Sequence, residues 1–370
     1  MDARPEASIR RILAVNFGGL GDAILFFPTL QTLRRHYPHA HITVLCEPRC
    51  REIMERQYLV DKVITADVKT APDPQLFVKL VMQLRQLNLD LAISSGRSPL
   101  VPLLLFLSGA HRRVGFAPNP LGWLLSDRVP LTLRQYTGAM HHDLLKGIGI
   151  DEPAPLPRFP LSDLAVEWAY AWLERNGLPT KPGPVFIHPG ASKMSVTRGI
   201  QKTWTAAQWQ TLLAGLRERG LPLILAGGPD DEELLAGIPI GDGVVRAKTD
   251  TLDQLAALIA VSRLVIGSDS AALNIAVAVG TPLVGIFGPS DPDKVLPVDH
   301  PEFCAVHVAD LACRPCLWLT RKTTCEALTC LNSLGPEPVW AAVDRLLERA
   351  AVPAGVGSEP VWADAGPVNV

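Results

Sequence analysis

Short apolar runs alternate with stretches of helical period along most of the chain. Residues 11–17 (RILAVNF) read as a buried strand that stops at Gly18-Gly19-Leu20-Gly21-Asp22, and the spacing beyond predicts a helix over 23–36. The strand pattern returns at 41–46, 62–65 and 89–94, separated by helical periodicity over 51–57 and 75–87. Four prolines between Asp151 and Pro160 read as a linker. The rhythm then restarts, with strands at 185–188, 222–226, 244–246, 264–266 and 283–287. The intervening helices fall at 164–176, 206–218, 231–235, 252–262 and 271–279. Alternating β and α elements of this kind imply parallel sheets covered by helices. The expected fold class is therefore α/β, with two Rossmann-like domains, 1–160 and 161–335. A closing helix over 336–351 could cross back to the first domain, and a Gly/Pro/Ala-rich tail at 352–370 is expected to be disordered.

In such sheets ligands sit beyond the carboxyl ends of the strands, where helix N-termini point. Four loops at these positions carry unusual residues. In Gly18–Asp22 the glycines permit a sharp turn, and Asp22 falls at or next to the following N-cap. There it is either a cap or a carboxylate placed as a general base. The order GGLGD is not the dinucleotide fingerprint, and no P-loop lysine follows. His188-Pro189-Gly190-Ala191-Ser192 offers a glycine and a hydroxyl suited to phosphate, or simply a tight turn, and Lys202 follows ten residues on. Gly227-Gly228 precedes four acids, of which Asp231 and Glu232 either complement a helix dipole or accept bonds from a ribose. Ser268, Asp269, Ser270 and Ala271 supply more polar groups than one helix cap requires, which points to an anion.

Composition narrows the function classes. With 48% hydrophobic and 19% charged residues the chain is not disordered, and a net charge of −2 excludes nucleic-acid binding through bulk charge. The charge is uneven: residues 1–155 carry 18 Lys/Arg against 14 Asp/Glu, and the remainder 17 against 23. Seven cysteines and no apolar leader in MDARPEASIRR suggest a reducing, cytoplasmic setting. The most apolar run, 99–110 (PLVPLLLFLSGA), is too short to span a bilayer, which takes ~20 residues. It reads as a core helix and, if exposed, as a face for docking on the inner leaflet. Cys313, Cys316, Cys325 and Cys330 have spacing that can hold structural Zn²⁺ or an iron–sulfur cluster, with free thiols or a disulfide as alternatives. His141-His142-Asp143 does not form a chelating set, because adjacent helical residues diverge by about 100°.

Taken in order, the segments RILAVNFGGLGDAILFFPTLQTLRRHYP, FIHPGAS…QKTWTAAQW, LAGGPDDEE and LVIGSDSAALNIAVAVGTPLVGIFGPSDP resemble the ADP-heptose:lipopolysaccharide heptosyltransferases, inverting glycosyltransferases of GT-B fold. The resemblance implies an acceptor-binding N-terminal domain and a nucleotide-sugar-binding C-terminal domain facing each other across a cleft. By position Asp22 matches the catalytic base. Ser192 and Lys202 match groups at the donor pyrophosphate, Asp231 or Glu232 an acid at the adenosine, and Ser268, Asp269, Ser270 and Ala271 the phosphate loop. Gly19, Gly21, Arg97 and Arg112 are expected to serve the acceptor. No cofactor is implied for catalysis. The implied partners are ADP-heptose and a glycolipid acceptor, with peripheral contact at the inner membrane. The family's usual DSGPMH reads Asp269-Ser-Ala-Ala-Leu-Asn274 here, so Ala271 replaces a glycine and the uncharged Asn274 a histidine.

Overall fold

Strands buried on both faces read as unbroken apolar runs, and the computed structural model places them in two all-parallel sheets. It describes residues 9–67, 73–190, 193–317 and 320–351, so Ser192 and the 352–370 tail lie outside the described residues. The chain divides into two units between Arg158 and Phe159. The first holds β1 (Arg11–Asn16), β2 (His41–Cys46), β3 (Lys62–Thr65), β4 (Leu91–Ser94), β5 (Arg112–Phe116) and β6 (Asp127–Val129), in the order β3-β2-β1-β4-β5-β6. The second holds β7 (Val185–His188), β8 (Leu223–Ala226), β9 (Val244–Ala247), β10 (Leu264–Ser268), β11 (Leu283–Ile286) and β12 (Phe303–Val306), in the order β12-β11-β10-β7-β8-β9. Numbered from each unit's first strand, both orders are 3-2-1-4-5-6, the Rossmann arrangement. The crevice where strand order reverses thus lies between β1 and β4, and between β7 and β10.

Each sheet has its own core. In the first, Leu13 and Val15 of β1 meet Leu80, Leu84, Leu104 and Leu105 from covering helices. In the second, Val185, Ile187 and Leu225 pack with Trp204, Trp209, Leu212 and Leu216. The last helix, Glu337–Ala351, drives Val339, Ala342, Val343 and Leu346 into this second core, and the Trp340 indole donates to the Leu212 carbonyl at 3.2 Å.

Two local readings change. The single helix expected over 23–36 is two, Leu20–Leu25 and Phe27–His36, because Pro28 opens a new first turn. Since the first begins at Leu20, Gly19 is the N-cap and Asp22 stands three residues inside. Helix Leu100–Leu107 buries Val101, Pro102, Leu104 and Leu105 but leaves Leu100 and Phe106 exposed, so the apolar 99–110 run is only half core.

Candidate active site

In the first unit the chain leaves β1 through Phe17-Gly18-Gly19 and enters helix Leu20–Leu25 at the reversal point beside β4. The Asp22 Oδ2 accepts the Gly19 N–H at 2.9 Å, closing the first turn and fixing the carboxylate. The residue is exposed, and its other oxygen has no protein partner among the described residues. Gly18 is required here: a Cβ on it would stand 2.1 Å from the Asp22 Cβ. Asn16, at the end of β1, braces the turn. Its Oδ1 accepts from the Gly18 N–H at 2.8 Å, and its amide donates to Ser95 Oγ at 3.1 Å, tying the β1 loop to the β4 loop.

Two residues join this neighbourhood that sequence reading did not select. The Arg49 guanidinium, in the loop after β2, would lie 3.4 Å from a Cβ on Gly19, and Glu47 holds it through Nε and Nη2 at 2.9 Å. His141 is buried edge-on against Phe26, with ring centroids 5.8 Å apart. Burial holds its imidazole below the usual histidine range, while the nearby Asp22 charge opposes the shift and Arg97 reinforces it. Gly21 belongs to the Asp22 turn, and the Arg97 charge, like that of Asp22, acts on the His141 imidazole. Arg112 lies elsewhere. It opens β5, at the opposite end of the parallel sheet, where it pairs with Asp127 at 3.1 Å and donates to the Gly147 carbonyl at 2.7 Å. No sequence signal marks Arg49, and His141 drew notice only within a non-chelating His141-His142-Asp143 run, because their place in the first unit's site comes from packing between elements far apart in the chain.

In the second unit the loops after β7 and β10 are stitched together. The Thr203 hydroxyl donates to the Pro189 carbonyl and accepts the Trp209 indole N–H at 3.0 Å. The buried Ser268 Oγ lies 2.8 Å from Thr203 Oγ1 and 3.0 Å from the Pro189 carbonyl. Ser268 thus serves as a structural tie and is not free for a ligand. Lys202 and Asp269 form a largely buried pair, Nζ to Oδ2 at 3.1 Å. Ser270 caps helix Ala271–Val279 through its backbone, while its hydroxyl is buried without a partner. The Asn274 amide turns back to the Ser270 carbonyl at 3.4 Å, leaving its own Oδ1 buried and unpartnered. An ammonium, an unused hydroxyl and the N-terminus of a nine-residue helix therefore meet beside one another.

The acids after β8 divide their work. Asp231 is buried. Its Oδ2 accepts the Gly228 N–H at 2.9 Å and lies 3.9 Å from His188 Nε2, and a Cβ on Gly190 would run into its carboxyl group. Asp231 is therefore committed to the fold, while Glu232 and Glu233 are exposed in the first turn of that helix. Burial also pushes the His188 imidazole below its ordinary range, against the Asp231 charge.

Among the described residues no three potential metal ligands converge, and Cys313, Cys316, Cys325 and Cys330 are free thiols. Burial pushes the Cys330 thiol up, and the Cys316, Cys325 and Cys313 charges add to this. Side chains and backbone of this segment clasp the loops after β7 and β11. Thr324 bonds to Gly199 and Gln201 at 3.0 Å, and Arg314 donates to the Gly288 and Ser290 carbonyls.

Residues 77–325 match the family model for glycosyltransferase family 9 (heptosyltransferase). The chain is similar to lipopolysaccharide heptosyltransferase 2 of Escherichia coli K12, 27% identical over 310 residues, covering 78% of this chain and 86% of the relative. It is also similar to lipopolysaccharide heptosyltransferase 3 of E. coli, 28% identical over 291 residues, covering 73% and 81%. Among solved structures, E. coli ADP-heptose LPS heptosyltransferase II superposes with a TM-score of 0.70 at 22% identity, over 92% of this chain and 99% of that one. That likeness shows a shared fold, the GT-B class.

Proposed function

Because the chain belongs to glycosyltransferase family 9, the heptosyltransferases, we propose that it transfers a heptose from ADP-heptose to a lipopolysaccharide core or similar glycan, with inversion. Asp22 is the general base. Its unpartnered oxygen takes the acceptor hydroxyl proton as that hydroxyl's oxygen bonds to the anomeric carbon, and the bond from that carbon to the diphosphate breaks. ADP leaves with the electron pair. Lys202, the Ser270 hydroxyl and the amides opening helix Ala271–Val279 meet its charge, and Asp269 serves to aim the ammonium. Glu232, exposed in the first turn after β8, serves the nucleoside. Arg97 and Arg49 suit an anionic group on the acceptor, beside Gly19 and Gly21. This chemistry needs no metal, and the cysteine loop acts as a brace. No helix among the described residues is long and apolar enough to cross a membrane, and we infer work at the inner face on a glycolipid.

The observation that carries this reading is Asp22, an exposed carboxylate with one oxygen anchored by Gly19 and the other without a partner among the described residues, at the reversal point of its sheet. Asp22→Asn should lower turnover by about a hundred- to ten-thousand-fold while ADP affinity, read by calorimetry, stays at the parental value. Parental turnover in the variant would remove Asp22 as base. ADP, UDP and GDP compared in thermal-shift assays identify the donor nucleotide. Stabilisation by UDP or GDP alone would replace ADP-heptose with another nucleotide sugar, and no response to any of the three would favour a silent relative.

A further inference from the structure

Three oxygens in the turns that follow β10 and β11 are buried without a hydrogen-bond partner among the described residues: Ser270 Oγ, Asn274 Oδ1 and Ser290 Oγ. Buried polar atoms are nearly always paired, so each asks for an explanation. Ser270 has one in the departing diphosphate. Asn274 and Ser290 have none from the fold, and neither sits in a loose segment. Ser290 belongs to the turn after β11, whose backbone is held on all sides. Arg314 donates to the Gly288 carbonyl and, at 3.1 Å, to the Ser290 carbonyl, and the Pro289 carbonyl accepts the Cys316 and Leu317 N–H groups at 3.0 and 3.1 Å. The carbonyls of the turn are thus occupied and the Ser290 hydroxyl is not. Asn274 lies one turn into helix Ala271–Val279, on the face that Ser270 begins. Its amide nitrogen donates to the Ser270 carbonyl at 3.4 Å, which sets the orientation of the amide. The unpartnered atom is therefore an oxygen that can only accept.

Strand order says what these two residues serve. Neighbouring strands run β11-β10-β7-β8. Glu232 stands in the first turn after β8, Lys202 follows the β7 loop, and Ser270 opens the helix after β10. With the nucleoside at β8 and the diphosphate between β7 and β10, an extended nucleotide sugar continues toward β11, three strand spacings or ~14 Å from β8. Ser290 and Asn274 stand on that side. Their chemistry agrees with the placement. The oxygens of an ionised diphosphate bring lone pairs and no proton, so they cannot satisfy Asn274 Oδ1. A sugar hydroxyl donates to it, and a second hydroxyl can give to or take from Ser290.

We infer that Asn274 and Ser290 bind hydroxyls of the transferred sugar and thereby select which sugar the donor carries, an assignment that rests on the nucleotide-sugar reading of the second unit and on neither adenine nor heptose in particular. The ligand class is a polyhydroxylated sugar on a nucleoside diphosphate, and the residues discriminate through its hydroxyls.

The test is calorimetry of the full chain with ADP and with ADP-heptose. Ser290→Ala and Asn274→Leu should each leave ADP affinity at the parental value and weaken ADP-heptose by roughly three- to tenfold. Their melting temperatures should not fall, because each removes a buried oxygen that has no partner in the unliganded protein. Ser290→Thr keeps a hydroxyl and should keep the affinity for ADP-heptose. Should Asn274→Leu misfold, mono-deoxy analogues of ADP-heptose decide: at least one must bind the parent more weakly than ADP-heptose does, and lose nothing further on Ser290→Ala. Parental affinity for ADP-heptose in both variants overturns the assignment. So does an equal loss of ADP and ADP-heptose, which would place the two residues at the nucleotide or in the fold. A parent that ignores ADP but binds UDP removes the ADP-heptose reading alone, and the same variants are then compared with UDP and UDP-glucose. A parent that binds no nucleoside diphosphate removes both.

Discussion

The Lys202–Asp269 pair separates what holds the donor loop from what acts on the donor. At 3.1 Å the two charges attract by about 5 kcal/mol at an effective dielectric near 20. Most of that is offset by the desolvation of both groups, whose side chains keep only 17% and 10% exposure. Removing one partner is another matter. Lys202→Met leaves the Asp269 carboxylate enclosed and uncompensated, which should cost about 2 kcal/mol of stability once the remaining exposure is allowed for. For a unit of this size that is a drop in melting temperature of roughly 4–8 °C. The same change removes a charged donor from the departing diphosphate, worth about 1.5–3 kcal/mol, or roughly 10- to 150-fold in kcat/KM. Lys202→Met with Asp269→Asn should recover most of the melting temperature and little of the turnover. Scanning calorimetry gives the first quantity and initial rates with ADP-heptose the second. A double variant that regains parental kcat/KM, or a single variant that never loses it, would show that Lys202 does not touch the leaving group.

Other consequences can be checked directly. Gly190→Ala forces a methyl into the Asp231 carboxyl group and should destabilise by about 2 kcal/mol, read as a lower denaturant midpoint; Gly228→Ala, with Asp231 Oδ2 3.8 Å from the added Cβ, should cost less. Thr203→Val strips bonds to Pro189, Ser268 and Trp209 and should cost about 2–4 kcal/mol; an unchanged melt would show the network to be idle. Gly18→Ala should displace Asp22 and reduce turnover at least tenfold while ADP affinity holds, since the clash is confined to the first unit. His141, His142 and His188 are all held below the ordinary histidine range by burial. The unfolded chain therefore binds their protons first, and stability should fall as pH drops below about 6.5. A melting temperature flat from neutral pH to about pH 5.5 would contradict this.

Much of the architecture was legible because parallel strands buried on both faces leave unbroken apolar runs, as in Ile12–Val15 and Val185–Ile187. β5, β6 and β12 were not. Arg112-Arg113, Asp127-Arg128 and the four-residue FCAV stretch carry polar or short patterns that only edge and near-edge positions tolerate. The loops of the site stood out through glycines and excess hydroxyls after strands. Their division of labour did not, because a sequence cannot distinguish an acid that caps, such as Asp231, from one left free, such as Glu232. Ser268 misled for the same reason: its hydroxyl looks available until the Thr203 partnership is seen. Arg112 misled because a charge near a strand says nothing about which end of that strand faces the ligand.

Both sheets repeat one strand order, each with its own core and its own reversal point. With the proposed function, such an arrangement would keep the recognition of what gives a sugar and of what receives it on separate stretches of chain. Either stretch can accumulate substitutions while the other stays fixed, so new pairings of giver and receiver are open to evolution without redesign of the whole.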